Sequence, residues 1–300
     1  MVVIRIGTRS SPLALKQTEL VIEALVAKNL LTIEECEVVP IKTTGDMIQD
    51  RPLYDMGGKA LFAKEIEAAL MQGDIDCAVH SLKDMESILP RSLEIAAVLP
   101  RESPWDVWIS REKIPLEEMP KGSVVGSCSP RRAAQLLKLR PDFTIKSIRG
   151  NIGTRLQQLE DGKYDAIILA DAGLRRLNLR EKMTERLPLN LMVPAAGQGV
   201  IAIECRETDV KIRSLLSQIN HAETFYRMTA ERALLKALGG TCRTPIAAFA
   251  SLREEGMIHL TGVLATEDAT QMVRFESRGQ DPIYLGREIA RELQTRLIKN

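Results

Sequence analysis

One strand–turn–helix pattern occurs twice in the chain and restricts it to few folds. Residues 4–17 comprise an apolar strand, a glycine, a hydroxyl-rich turn, Ser-Pro and a helical stretch, and residues 124–133 repeat that order. Serine is a good helix N-cap and proline suits the first helical position, so we expect Ser11 and Ser129 to begin helices. Strands that alternate with helices are typical of α/β folds.

A second repeat follows the first in the same order. A helix, a glycine-containing turn and a buried strand occupy residues 66–80, and the same three elements occupy residues 156–169. Two repeats in one order predict two related α/β lobes, each with its own insertion. The extra length of the first lobe lies in residues 43–62. Its main part, 44–59, has no clean period and is predicted to be a long loop, either a mobile lid or a plain surface loop.

The rest of the chain suggests where the domains end. Residues 99–104 read as a crossover linker, and the strand-like stretch 200–204 predicts a return to the first lobe. A helix from His221, three strands and a last helix predict a small α+β unit. We expect domain 1 to comprise residues 1–99 and 200–218, domain 2 residues 100–199, and domain 3 residues 219–300.

Composition excludes several classes of protein. Hydrophobic residues form 45% of the 300 residues and charged residues 27%, and no run of 18 apolar residues occurs. We therefore expect a soluble protein without a transmembrane helix. The first apolar stretch is too short for a signal peptide, which favours a cytoplasmic location. Five cysteines without close pairs and three scattered histidines predict neither a disulfide framework nor a metal site.

Polar side chains follow a buried strand in residues 75–84. The apolar run 75–79 is followed closely by Ser81, Lys83 and Asp84. Ligands of open α/β sheets bind beyond the carboxyl ends of the strands. Asp84 is therefore the first catalytic candidate.

Basic residues are dense between positions 131 and 155, where only Asp142 opposes them. Lys138 and Arg140 are expected on a solvated helix face, whereas Arg149 follows a predicted strand and is better placed for a ligand. Arginine suits forked binding of carboxylate or phosphate. Arg9 and Arg176 would add to the same cleft if the two lobes face each other.

This basic cluster is compatible with two kinds of ligand. Nucleic acid would suit the positive charge, but only 4% of the residues are aromatic and the net charge is +1. Stacking platforms for single strands are therefore scarce, and a small polyanion is favoured.

Two cysteines are candidate nucleophiles. Cys128 lies at a predicted helix N-terminus beside two arginines, where positive charge favours the reactive thiolate. Cys242 lies in a glycine-rich turn before Arg243. Local physical chemistry favours Cys128 without excluding Cys242.

Several stretches, taken together, resemble the porphobilinogen deaminase (hydroxymethylbilane synthase) family over nearly the whole chain. The matching stretches are 7–14 (GTRSSPLA), 57–62 (GGKALF), 80–84 (HSLKD), 129–132 (SPRR), 148–156 (IRGNIGTRL), 197–199 (GQG) and 239–242 (GGTC). The resemblance implies two lobes like those of periplasmic binding proteins, facing across a cleft, and a small α+β C-terminal domain.

The resemblance also implies a chemistry. The enzyme would carry a dipyrromethane cofactor on Cys242, in place of our local preference for Cys128. It would join four porphobilinogen molecules head to tail with loss of ammonia, and Asp84 would be the catalytic carboxylate. The cofactor- and substrate-binding residues would be Arg9, Ser11, Gln17, Lys59, Phe62, Ser81, Lys83, Ser127, Ser129, Arg131, Arg132, Arg149, Gly150, Arg155, Arg176 and Gln198.

The family likeness further implies a monomer without a metal, a membrane or a nucleic-acid partner, which could hand its product to uroporphyrinogen III synthase. The main alternative is a two-lobed sensor or binding protein for an anionic ligand. Such a protein would need neither a covalent adduct nor Cys242.

Overall fold

The computed structural model describes residues 3–47, 63–240, 244–253 and 256–299. The strands in these ranges are β1 (Ile4–Arg9), β2 (Cys36–Ile41), β3 (Cys77–Ser81), β4 (Leu93–Val98), β5 (Asp106–Ser110), β6 (Val124–Gly126), β7 (Thr144–Lys146), β8 (Ala166–Ala170), β9 (Glu185–Arg186), β10 (Ile201–Arg206), β11 (Ile246–Leu252), β12 (Ile258–Ala265) and β13 (Met272–Gly279). The helices are α1 (Pro12–Ala27), α2 (Thr44–Met47), α3 (Lys64–Gln72), α4 (Pro130–Leu139), α5 (Ile152–Glu160), α6 (Asp171–Arg176), α7 (Val210–Ser217), α8 (Ala222–Ala237) and α9 (Pro282–Lys299).

Two five-stranded sheets have the same topology. The first lobe is built on the sheet β2-β1-β3-β10-β4, and the second lobe on β7-β6-β8-β5-β9. In the first sheet, β1 is parallel to β2 and β3, and β10 runs antiparallel to β3 and β4. In the second sheet, β6 is parallel to β7 and β8, and β5 runs antiparallel to β8 and β9. One strand of each sheet thus runs against the others.

Strand register confirms the repeat predicted from the sequence. Gly7 lies opposite Ala78 in the first sheet, and Gly126 lies opposite Ile167 in the second. Each glycine occupies the same position in the repeated pattern, and so does each of its partners. The two repeats therefore superpose as paired strands as well as in chain order.

The predicted N-caps are confirmed at both repeats. The Ser11 hydroxyl accepts a hydrogen bond from the Ala14 amide, and the Ser129 hydroxyl accepts one from the Arg132 amide. Proline follows each cap at the first helical position, where its missing N–H costs nothing. These caps satisfy orphan amide groups and set where α1 and α4 begin.

The sheets are buried between helices. In the first lobe, Ile6, Val21, Val79 and Ile203 belong to one apolar cluster that joins β1, α1, β3 and β10. In the second, Trp108 packs with β6, α4 and β8 in a similar cluster. Burial on both faces explains why β3 and β8 are nearly continuous apolar runs.

The C-terminal unit is the antiparallel sheet β11-β12-β13 with α8 and α9 packed together against it. With the two lobes it confirms the predicted fold class, two α/β lobes and a small α+β unit. Residues 201–206 return to the first sheet as β10, as the sequence indicated.

One local prediction was wrong. Thr44–Met47 forms the short helix α2 instead of the start of an irregular loop. Asp46 in that helix bonds the nearby Thr43 and also Arg9, a long-range partner that periodicity does not report. The rest of the predicted loop lies outside the described residues. Within the described ranges, no helix combines the length and apolar character that crossing a bilayer requires.

Candidate active site

A cavity of about 600 Å³ lies where the two lobes and the C-terminal unit meet. The first lobe contributes the turn before α1 and the residues after β3. The second lobe contributes the N-termini of α4 and α5, and the C-terminal unit contributes Leu235, Gly240, Thr244 and Ile246. As expected for α/β sheets, the cavity lies beyond the carboxyl ends of parallel strands.

Most of the predicted binding residues line this one cavity. They are Arg9, Ser11, Ser81, Lys83, Asp84, Ser129, Arg131, Arg132, Arg149, Gly150, Arg155, Arg176 and Gln198. Lys59, Phe62 and Cys242 lie outside the described residues. Gly240 and Thr244, the described residues on either side of position 242, both line the cavity.

Asp84 ends a single 3-10 turn, Leu82–Asp84, directly after β3. Leu82 is buried and anchors the turn, whereas the Asp84 side chain is exposed. It lines both the main cavity and an adjoining pocket of about 50 Å³. Its carboxylate forms no hydrogen bond with any described residue. Local structure therefore presents this carboxylate to whatever enters the cavity.

Lys83 is the half-buried neighbour of Asp84. Burial lowers the pKa of Lys83 to about 8, and the nearby Asp84 carboxylate opposes that decrease. Its ammonium donates to Gln198 Oε1 at 3.5 Å. Burial disfavours the charged form of an amine, so an anion that binds beside Lys83 would stabilise its ammonium form.

Arg131 and Arg132 form a buried cluster with Asp106. The Asp106 carboxylate accepts hydrogen bonds from both guanidiniums, at 2.7 and 3.2 Å from Arg131 and 2.7 and 2.9 Å from Arg132. Arg131 also donates to the Val193 carbonyl and Arg132 to the Ile168 carbonyl. Sequence reasoning named only Asp142 as an opposing acid in this region and missed Asp106. The sequence feature that could have pointed to Asp106 is its position as a carboxylate at the start of an apolar strand.

The start of α5 supplies further donors. Asn151 caps the helix through the Thr154 amide, and Arg155 donates to the Gly150 carbonyl at 2.8 Å. Gly150 has a φ of +104°, and a Cβ there would approach Thr154 Cγ2 to 2.7 Å. Only glycine fits this turn without strain. The turn brings Arg149 and Arg155 to the same wall of the cavity.

Two further arginines lie at the edges of the site. Arg9 forms an ion pair with Asp46 at 2.5 Å. Burial would raise the pKa of Asp46, but Arg9 and Thr43 together outweigh that effect and lower it. Arg176 donates to the Gly199 carbonyl, and burial lowers its pKa to about 10. Arg176 therefore stays charged at neutral pH.

Two predicted residues lie away from the main cavity. Gln17 is buried and exchanges hydrogen bonds with Ser81 at 2.8 and 3.1 Å, next to the smaller pocket. The Ser127 hydroxyl accepts from the Ser129 amide and so supports the turn before α4. Cys128, the alternative nucleophile, does line the main cavity.

Arg140 corrects another expectation. Instead of a solvated side chain, its guanidinium donates to the carbonyls of Leu116 and Met119 and to Asp142, and it lies 4.1 Å from the Phe143 ring centroid. Arg140 therefore supports the second lobe and takes no part in the cavity.

The charges around the cavity suit a polyanion. Among the described lining residues, seven side chains are cationic and three are carboxylates, Asp46, Asp84 and Glu86. Asp106 adds a fourth carboxylate behind Arg131 and Arg132. Two linked pyrroles with acetate and propionate substituents carry carboxylates that arginine forks bind well, so these residues fit a dipyrromethane.

Fold and site together define a two-lobed α/β protein with a basic cleft for a polyanionic ligand. Residues 4–214 match the family model "porphobilinogen deaminase, dipyromethane cofactor binding domain", and residues 225–295 match "porphobilinogen deaminase, C-terminal domain". The chain belongs to the porphobilinogen deaminase family. It is thus a hydroxymethylbilane synthase, a transferase of porphyrin biosynthesis with a dipyrromethane cofactor.

Solved structures with a similar arrangement come from several periplasmic proteins. The VFT2 domain of Bordetella pertussis BvgS (a double mutant) has 14% identity and a TM-score of 0.44, covering 72% of this chain and 86% of its own. A TRAP periplasmic solute binding protein from Desulfovibrio salexigens has 14% identity and a TM-score of 0.45, and the match covers 74% of this chain and 73% of its own. A Brucella ovis periplasmic binding protein with glutathione bound has 13% identity and a TM-score of 0.43, and the match covers 79% of this chain and 68% of its own. None of these similarities bears on the function of this chain.

Proposed function

We propose that the protein condenses four porphobilinogen molecules head to tail, releases one ammonia per unit, and liberates linear hydroxymethylbilane. The observation that carries this proposal is the exposed Asp84 carboxylate in a cavity whose charged lining side chains are mainly cationic. A binding site for a polyanion alone would gain nothing from a carboxylate in that position, because like charges repel.

Asp84 acts on the reacting pyrrole. Each condensation breaks the aminomethyl C–N bond of porphobilinogen, forms a C–C bond to the α-carbon of another pyrrole, and transfers the proton of that α-carbon to the departing amine. Departure of the amine leaves a cation whose charge is shared by the pyrrole N–H. The Asp84 carboxylate accepts a hydrogen bond from that N–H and so stabilises the cation. It also helps to move the proton to the departing amine. Water supplies the hydroxyl group of the released product.

The cationic residues hold the carboxylates of the pyrroles. Arg131, Arg132, Arg149 and Arg155 orient acetate and propionate groups through forked hydrogen bonds, while Lys83 contributes a point charge beside Asp84. Ser11 and Ser129 face the same cavity from the starts of α1 and α4, where helix N-termini favour anions. Holding the substrate in line with the acceptor carbon lowers the entropy cost of each condensation.

We place the attachment of the dipyrromethane, by a thioether, at Cys242. Gly240 and Thr244, on either side in sequence, line the cavity, which supports this placement; the choice over Cys128, which also lines the cavity, rests on the family likeness. When bound, the cofactor supplies the free pyrrole carbon to which the first substrate unit is joined. Lys59 and Phe62 are assigned to the binding of substrate or cofactor on the basis of family likeness.

The remaining assignments also rest on that likeness. We propose domains at residues 1–99 with 200–218, at 100–199 and at 219–300, a monomeric cytoplasmic enzyme, and hand-over of the product to uroporphyrinogen III synthase. The observed sheets support the domain limits, because β10 belongs to the first sheet although the second lobe precedes it in the chain.

The proposal is tested by the stoichiometry of the reaction. The purified protein is incubated with porphobilinogen, and ammonia and the linear tetrapyrrole are quantified together. We expect four ammonia molecules per tetrapyrrole. Saturable binding of porphobilinogen without ammonia release would favour the alternative, a two-lobed binding or sensor protein.

A further inference from the structure

Asp106 is a buried carboxylate to which the proposed reaction assigns no role. It is fully buried at the start of β5, opposite Ala170 on β8. Five hydrogen bonds reach it, four from Arg131 and Arg132 and one from the Gln198 amide at 3.2 Å. Its partners, unlike Asp106 itself, all line the cavity.

Electrostatics fix the geometry of this cluster. Burial alone would raise the pKa of Asp106, but Arg131 and Arg132 outweigh that effect and hold the pKa well below its usual range. The carboxylate therefore stays ionised at neutral pH. Two guanidiniums side by side repel each other, and one shared carboxylate holds both in place. The group retains one net positive charge toward the cavity.

Gln198 extends the cluster to the other lobe. Its side-chain amide donates to Asp106 Oδ1 and to the Pro104 carbonyl, at 3.2 and 2.6 Å. Its side-chain oxygen accepts from Lys83 of the first lobe. Asp106 is thus joined through one fully buried amide to the residue that precedes Asp84.

We propose that Asp106 is a positioning residue, which aims Arg131 and Arg132 at the carboxylates of the bound pyrroles and, through Gln198, holds Lys83 in register with them. The inference rests on the proposed function, since it assigns a role to Asp106 in binding those carboxylates. Forked arginine contacts depend on orientation, and a displacement of about 1 Å in a binding group can cost roughly a hundredfold in rate.

A purely structural role for Asp106 makes a different prediction. Such a role would change the stability of the protein but leave the affinity for substrate as it is. The chain contains a matched control in Asp76, a carboxylate bound by Arg5 at 2.8 Å and approached by Arg206 at 3.7 Å. Asp76 precedes β3, at the end of the strand opposite to Asp84, and does not line the cavity.

The experiment compares Asp106→Asn, Asp106→Glu and Asp76→Asn with the wild type, each assayed well below its own Tm. Asn removes the charge, whereas Glu keeps the counter-charge and displaces it by one methylene. The readouts are KM and kcat for porphobilinogen and, from intact mass, the fraction of protein that carries the cofactor. We expect both Asp106 variants to raise KM at least tenfold, with a smaller change in kcat, and to lower the cofactor-bearing fraction. Asp76→Asn should change KM less than twofold.

Three results would overturn the proposal. The first is an Asp106→Asn variant that folds and has the KM of the wild type. The second is an Asp106→Glu variant with the KM of the wild type, in the case that the Asn variant does not fold. The third is the failure of both variants to fold. In the last case the carboxylate would serve the fold. Wild-type protein that releases no ammonia would refute the proposed function instead, so the two failures are distinguishable.

Discussion

Replacing Asp84 by asparagine removes one charge and almost nothing else. The side chain is exposed and forms no hydrogen bond with the described residues, so the free energy of unfolding should change by less than about 0.5 kcal/mol. The chemical step should suffer far more. Losing one aimed electrostatic partner of a transition-state charge typically costs about 10²–10³ in rate, about 2.7–4 kcal/mol. We therefore predict a fall in kcat of at least about a hundredfold with unchanged Tm.

The charge also acts on its neighbour. The Asp84 carboxylate raises the pKa of Lys83 against the effect of burial, so the asparagine variant should lower that pKa further below about 8. Single-turnover ammonia release would measure the chemical step, and thermal unfolding would measure stability. Asp74→Asn, an exposed carboxylate before β3 at the opposite end of the strand, is the matched control and should be as active as the wild type. A normal rate in Asp84→Asn would refute the assignment.

Two further predictions concern charge and stability. Because Lys83 is cationic below its pKa and neutral above it, kcat/KM, which reports the free enzyme, should decline as the pH rises through about 8. Lys83→Arg should remove this alkaline decline, and an unchanged pH profile would contradict the reasoning. Glu231 is fully buried and accepts from Arg101 at 2.5 Å, the Gly197 amide at 2.6 Å and the Ala250 amide at 2.8 Å. Glu231→Gln should therefore lower the free energy of unfolding by about 3 kcal/mol or more, as measured by urea denaturation, and a loss below about 1 kcal/mol would show that the cluster is not cooperative.

Local signals in the sequence predicted much of the fold. Ser11 and Ser129 were recognisable as caps, because a cap and its proline lie next to each other in sequence. The repeat predicted two lobes of one topology, which the register of Gly7 and Gly126 confirms. These features depend on residues that are close in the chain or on an order that is preserved along it.

The parts that were missed depend on distant partners. Asp106 meets Arg131 and Arg132 only after β5 pairs with β8, and no local pattern indicates that contact. The same holds for Arg140, which reaches carbonyls of a preceding turn, and for α2, whose Asp46 bonds Arg9. Most of the predicted binding residues do line one cavity, but their roles in the reaction remain predictions.

The most direct test of the account is the intact mass of the purified protein, followed by peptide mapping of the modified cysteine. We expect an added mass of two condensed pyrrole units on the peptide that contains Cys242, and no adduct in a Cys242→Ser variant. Protein purified without the cofactor should gain that mass on incubation with porphobilinogen. An unchanged mass after incubation, or an adduct on Cys128 instead, would contradict the central claim.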